Sequence, residues 1–187
     1  VNEDGDSFKV INDVDAESYL AGVVGAEMPD YWEGEALKAQ AIAARTYCLY
    51  IKQRFGTGRH WDVSKTQAHQ VYRGVEGESA PIRSAVDQTK GKVLVCDQGE
   101  DGEGIFPAYY SSTCGGHTEN SEHVFGDSFA PLVGVECPYC VDVARPRYYF
   151  WPTVRFDCEQ VNERLLSNYP SLKRLGQIID LTAAEQT

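Results

Sequence analysis

Apolar positions near the start of the chain repeat with helical spacing. Leu20, Val23, Val24 and Glu27 fall at i, i+3, i+4 and i+7, so a carboxylate shares the stripe that a helix would bury. Asp15 suits an N-cap for a helix from about Ala16 to Glu27, and Pro29 disfavours helix at Met28. A second helix is predicted from Glu35 to about Arg54, ended by Gly56 and Gly58. Its first half is rich in alanine, and its apolar positions wrap most of the circumference, which predicts a central buried helix. Ser79 is placed to cap a third helix carrying Ile82, Ala85, Val86 and Thr89. Gly91 stops it.

Strand signals are fewer. Residues 8–12 suggest a short strand. Lys92–Cys96 and Ile105–Ser112 predict a hairpin joined by the acidic, glycine-rich turn from Asp97 to Gly104. Tyr148–Val154 reads as extended, Asp157-x-x-Gln160 as a capping box before a helix with Val161, Leu165, Leu166 and Tyr169, and Gln177–Leu181 as a last strand. Residues 60–78 form a polar, aromatic loop with His60, Trp61, Asp62, His69, Gln70 and Tyr72. Residues 113–146 are punctuated by Gly and Pro. The expected class is α+β: an Ala-rich central helix, flanking helices, a hairpin and a pinned loop region. No internal repeat or low-complexity linker interrupts it.

Composition narrows the function classes. At 187 residues and 42% hydrophobic, the chain suits a single domain over 1–187 with room for two lobes. A net charge of -11 argues against a nucleic-acid partner and gives no global reason for recruitment to anionic membranes. No apolar run is long enough to span a bilayer. The acidic opening Val-Asn-Glu-Asp-Gly does not read as a signal peptide, which leaves export open.

Six cysteines are too sparse for a disulfide scaffold. Cys114-Gly-Gly-His117 and Cys137-Pro-Tyr-Cys140 make a C-x-x-H…C-x-x-C pattern, two ligand pairs of the kind a closed tetrahedral zinc requires. The competing reading is a disulfide within the same cluster, and His123 is an alternative fourth ligand. Cys48, Cys96 and Cys158 read as small core hydrophobes.

Glu27 reads as a candidate general acid, because desolvation on an apolar face would keep it protonated near neutral pH. The bland alternative is a salt bridge with Lys38 or Arg45.

The run Tyr19 to Pro29, Trp32, and the run Glu35 to Tyr47 strongly resemble the stage II sporulation protein D (SpoIID)/LytB family. Gln70-Val71-Tyr72-Arg73-Gly74, Thr89-Lys90-Gly91 and Tyr109-Tyr110-Ser111-Ser112-Thr113-Cys114-Gly115-Gly116-His117 follow in the same order. The resemblance covers about 15–140 and thins after 145. It implies further strands beyond Gln177–Leu181, so the family's domain is expected to be reduced or incomplete in this chain.

The resemblance implies a peptidoglycan lytic transglycosylase that cuts between N-acetylmuramic acid and N-acetylglucosamine and leaves 1,6-anhydro-muramoyl ends. Glu27, in its Glu-Met-Pro motif, matches the family's catalytic acid. One carboxylate suffices, because the attacking C6 hydroxyl belongs to the sugar itself. Candidate substrate-binding residues are Gln70, Tyr72, Tyr110, Ser111 and Ser112, with Asp62 and Glu119 as further acids. Trp32, Trp61 and Trp151 suit sugar stacking. Zinc at Cys114, His117, Cys137 and Cys140 would be structural, and the chemistry needs no cofactor. Expected partners are glycan strands, denuded of stem peptides in some family members, and a cell-wall amidase or other protein. The workplace implied is extracytoplasmic, with an anchor outside this chain. Two other readings remain: a non-catalytic glycan-binding module or amidase activator, and a zinc hydrolase.

Overall fold

The computed structural model describes residues 10–177 and 179. They divide between Ala144 and Arg145 into two compact units. The first is built on three helices: α1 (Ala16–Glu27), α2 (Gly34–Phe55) and α3 (Ala80–Gln88). All three pack on one another around Leu20, Val23, Val24, Leu37, Ala41, Ala44, Ile82 and Val86. Each large aliphatic side chain buried there contributes roughly 1.5–3 kcal/mol.

Asp15 caps α1 as its position suggests, accepting from the Glu17 and Ser18 N–H groups. Ser79 sits at the N-cap of α3, but its hydroxyl makes no cap bond. The most enclosed helix is α1 rather than α2. Tyr19 to Val24 are six consecutive buried residues, whereas α2 exposes Gly34, Glu35, Ala39 and its last turn. Small residues explain the difference. A Cβ on Gly22 would lie 2.6 Å from the Tyr72 ring, and one on Gly25 would lie 1.6 Å from the Gly77 carbonyl oxygen. With hydrogen at both positions, the 3₁₀ turn Gly74–Gly77 lies directly on α1.

Arg45, almost fully buried, ties the helices to the chain that follows. Its guanidinium grips Glu17 through Nε at 3.1 Å and Nη2 at 2.6 Å. Its Nη1 donates to the Lys92 carbonyl at 3.1 Å. Thr46 accepts from the Leu94 N–H at 2.9 Å. The chain thereby enters a two-stranded antiparallel hairpin, β1 (Val95–Asp97) and β2 (Glu103–Ile105), in the register Val95↔Ile105. A hairpin forms as expected, but its strands differ: 92–94 and 106–112 are not strand, and β2 lies mostly in the stretch expected to be the turn, sharing only Ile105 with the expected strand. Phe106 and Ala108 are buried against protein, with Pro107 between them removing an N–H from any ladder.

The rest of the first unit is loop with two short helices, α4 (Ser121–Phe125) and α5 (Cys140–Val143). The second unit holds α6 (Pro146–Tyr149), α7 (Cys158–Asn168) and a 3₁₀ turn, Pro170–Leu175. The Asp157–Gln160 capping box is formed. Tyr148–Val154 is not extended throughout: Pro146 starts a helical turn that includes Tyr148 and Tyr149, a position suited to proline. Val10–Asn12 carries no strand, and Phe8 and Lys9 lie outside the described residues. The strand expected over Gln177–Leu181 also falls largely outside them. The class is mixed α and β with a small sheet, and no described helix is long and apolar enough to cross a membrane.

Candidate functional site

Glu27 ends α1, where unpaired carbonyls gather. The side chain is exposed rather than buried, a correction to the stripe that placed it inward. Pro29 explains the outcome: the chain turns away at Met28, so the last position of the stripe is only partly covered. Even so, partial desolvation holds its carboxyl above the ordinary glutamate range, against the Val71 N–H and the Arg73 guanidinium, which both favour the anion. The C-terminal end of the helix dipole acts in the same direction as desolvation. Lys38 pairs with Glu35 at 2.7 Å and Arg45 with Glu17, so neither neutralises Glu27.

The loop beside Glu27 is held from below by Gln70. This residue is buried, and its amide is spent inside the protein. Oε1 accepts from the Tyr19 hydroxyl at 3.3 Å, and Nε2 donates to the Ala44 carbonyl and the Tyr110 hydroxyl, both at 3.1 Å. The amide expected to face a sugar thus faces the interior, where it holds the Tyr110 hydroxyl. Burial pushes the Tyr110 hydroxyl up to about 12; the Gln70 bond opposes this and the charge of Glu27 reinforces it. Tyr72 is half-buried, stacked on Tyr19 at 5.1 Å, with its hydroxyl 3.4 Å from Asn12 Nδ2. Ser111 and Ser112 are exposed. Thus Arg73 acts electrostatically on Glu27, and Glu27 on Tyr110, while Gln70 holds Tyr110 from within and Tyr72 packs on Tyr19.

Three residues outside the expected set, Tyr109, Asp127 and Arg54, form a further link. Tyr109 donates to Asp127 Oδ2 at 2.6 Å, stacks on Phe125 at 4.0 Å, and Arg54 pairs with Asp127 at 2.8 Å. Burial would raise the Asp127 carboxyl, but the Tyr109 hydroxyl and the Arg54 guanidinium hold it below the usual range. Arg73 was visible only as part of a motif, and Asp127 gave no sequence signal. Of the remaining expected acids, Asp62 pairs with Lys52 and Glu119 lies 3.1 Å from His123 Nδ1. Glu27 lines neither of two surface cavities of about 250 and 450 Å³, one beside Met28–Asp30 and one beside Lys52 and Asp62.

The cysteine cluster forms separately. Thr118 N–H donates to the Val135 carbonyl at 2.8 Å and Cys137 N–H to the Gly116 carbonyl at 2.9 Å, laying 116–118 against 135–137. Gly115 and Gly116 take φ of 70° and 111°, a region that favours glycine. The sulfurs of Cys114, Cys137 and Cys140 come within 4.8 Å of one another, Cys114 and Cys140 at 3.4 Å. A tetrahedral zinc with about 2.3 Å bonds would set sulfurs about 3.8 Å apart, and a disulfide about 2.05 Å. The Gly116 N–H, then the Cys137 and Cys140 thiols, hold the Cys114 thiol below its usual range. Three thiols therefore fit a soft metal. His117 is not in the set: its Nδ1 lies 2.6 Å from the Thr118 carbonyl oxygen. His123 does not join it either. Cys48 and Cys96 are half-buried, but Cys158 is exposed on the first turn of α7 and so is not a core residue.

A model of the SpoIID family, stage II sporulation protein, matches residues 4–96. The chain is 40% identical, over 75% of its length and 37% of the relative's, to an uncharacterized protein of Brachyspira hyodysenteriae. It is 43% identical to the amidase enhancer of Bacillus subtilis, over 61% of this chain and 14% of that one. It is 28% identical to stage II sporulation protein D of Bacillus subtilis, over 94% of this chain and 53% of that one. The chain belongs to the SpoIID/LytB family. It spans between 14% and 53% of the length of these relatives.

Proposed function

We propose that the protein is a peptidoglycan lytic transglycosylase working outside the cytoplasm, with Glu27 as its lone acid and base. The observation that carries this is Glu27 itself: an exposed carboxyl at the end of α1, without a neutralising lysine or arginine within ion-pair distance among the described residues, yet held above its ordinary range beside Tyr110. A protonated, reachable acid is what departure of a glycosidic oxygen needs.

In this reading Glu27 gives its proton to the oxygen bridging N-acetylmuramic acid and N-acetylglucosamine. The resulting carboxylate then takes the proton of the muramoyl C6 hydroxyl as that oxygen bonds to C1. The C1–bridge bond breaks, the C6-oxygen–C1 bond forms, and Glu27 is protonated again. Water takes no part. The exposed hydroxyls of Ser111 and Ser112 and the Tyr110 edge would hold the sugars, while Arg73 moderates the acid. Cys114, Cys137 and Cys140 would hold a structural zinc next to this loop, with His117 as fourth ligand once its ring turns from the Thr118 carbonyl. When bound, such an ion supplies cross-linking of the loop and no chemistry at the sugar.

A second reading rests on the name of one relative, amidase enhancer: the chain binds glycan and stimulates an amidase without cutting. One digest separates the two. Purified glycan strands, with and without stem peptides, are incubated with the protein and analysed by mass spectrometry. Anhydro-muramoyl ends support the transglycosylase, and reducing ends point to hydrolysis. Intact strands, together with faster stem-peptide release when an amidase is added, point to the enhancer.

A further inference from the structure

In a chain with net charge -11, residues 145–156 carry three arginines, Arg145, Arg147 and Arg155, and no acid. The same segment exposes several apolar and aromatic side chains. Trp151 is 83% exposed, Val154 66% and Phe150 63%, with Tyr148 and Phe156 also open. The two tyrosines and the tryptophan are residue types that settle at a membrane–water boundary. Arg147 lies over the Tyr148 ring at 4.7 Å and donates to its hydroxyl at 2.7 Å, which places cation and ring side by side. Pro146 and Pro152 limit the backbone freedom that docking would otherwise remove.

Exposed rings and aliphatic groups beside arginines suit a partner that takes both apolar groups and cations. A sugar polymer would call for amides and carboxylates around the rings, yet the segment's side chains hold neither: its uncharged polar groups are the Thr153 and tyrosine hydroxyls and the Trp151 indole N–H. An anionic bilayer meets both features at once: rings and aliphatic groups enter the headgroup boundary, and arginines meet phosphate. We propose that residues 145–156 are an interfacial membrane-binding segment selective for anionic lipid. The charge balance gives it direction, since the acidic remainder of the molecule is repelled by the surface that attracts this segment. No described helix is long and apolar enough to cross a membrane.

The test is sedimentation of the protein with vesicles of phosphatidylcholine alone or with about a third phosphatidylglycerol. The expected result is binding to the mixed vesicles, weak binding to the neutral ones, and loss in high salt. Replacing one arginine by glutamine should lower partitioning about five-fold. Trp151→Ser should lower it too, and a blue shift of tryptophan emission on binding should vanish in Trp151→Phe. Circular dichroism and light scattering of each variant establish that it is folded and monomeric. Equal binding to both vesicle types, binding unchanged by these variants, or no binding overturns the proposal. So does a wild-type dimer dissociated by Trp151→Ser, which would make a second copy the occupant, or retention of the segment by glycan strands in preference to vesicles.

Discussion

Opposing influences set the proton affinity of Glu27. Partial desolvation raises it; the Val71 N–H and Arg73 lower it. Removing the cation therefore has a defined sign. Arg73→Gln should move the alkaline limb of the pH–activity profile to higher pH, because protonated Glu27 then survives further up the scale. An unmoved limb would show that Arg73 does not act on the acid. The same shift governs stability. A carboxyl whose folded pKa is raised loses stability as pH climbs from the ordinary glutamate range through the raised value, since only the unfolded chain releases its proton freely there. Glu27→Gln removes that loss, so its melting temperature at neutral pH should equal or exceed that of the wild type. Gln70 illustrates what a sequence hides. Its amide looked available for sugar, but the need to satisfy Ala44, Tyr19 and Tyr110 inside the protein decides its use.

At the scale of elements, periodicity located the three main helices almost to the residue, helped by the Asp15 cap and Pro29 around α1 and by Pro81 in the first turn of α3. It misjudged which helix is most enclosed. Composition favoured α2, whereas the close approach of Gly74–Gly77 to Gly22 and Gly25 encloses α1. That contact also fixes the loop carrying Val71 and Arg73 beside Glu27. Gly25→Ala should push the turn away from α1 and cost about 1–3 kcal/mol, measurable by denaturant unfolding. It should also reduce activity beyond what the fraction folded explains, since Arg73 moves with the turn. Wild-type activity in a folded Gly25→Ala protein would show that the turn does not place the site. The cysteine pairs were legible because metal-ligand spacing is local. The Tyr109–Asp127–Arg54 link was not, because nothing local announces it.

For the whole molecule, the proposed zinc belongs to the first unit and apart from Glu27's chemistry. One zinc per chain is expected by elemental analysis, falling to background in Cys137→Ser. Hydrogen exchange over residues 113–120 and 135–140 should rise on chelation while α1 to α3 stay protected. A protein without metal, or equal exchange before and after chelation, would favour the disulfide reading. The division at Ala144 was not marked by a linker in the sequence, since Arg145 onward is apolar and aromatic rather than Gly- or Ser-rich.

The central claim is that a single carboxyl cuts glycan without water. It is tested most directly by comparing wild type and Glu27→Gln on purified glycan strands, with products read by mass spectrometry. Wild type should give 1,6-anhydro-muramoyl ends, and the folded Glu27→Gln protein should give at least about 100-fold fewer, the scale of a lost general acid. Undiminished anhydro ends from Glu27→Gln, or reducing ends from wild type, would contradict it.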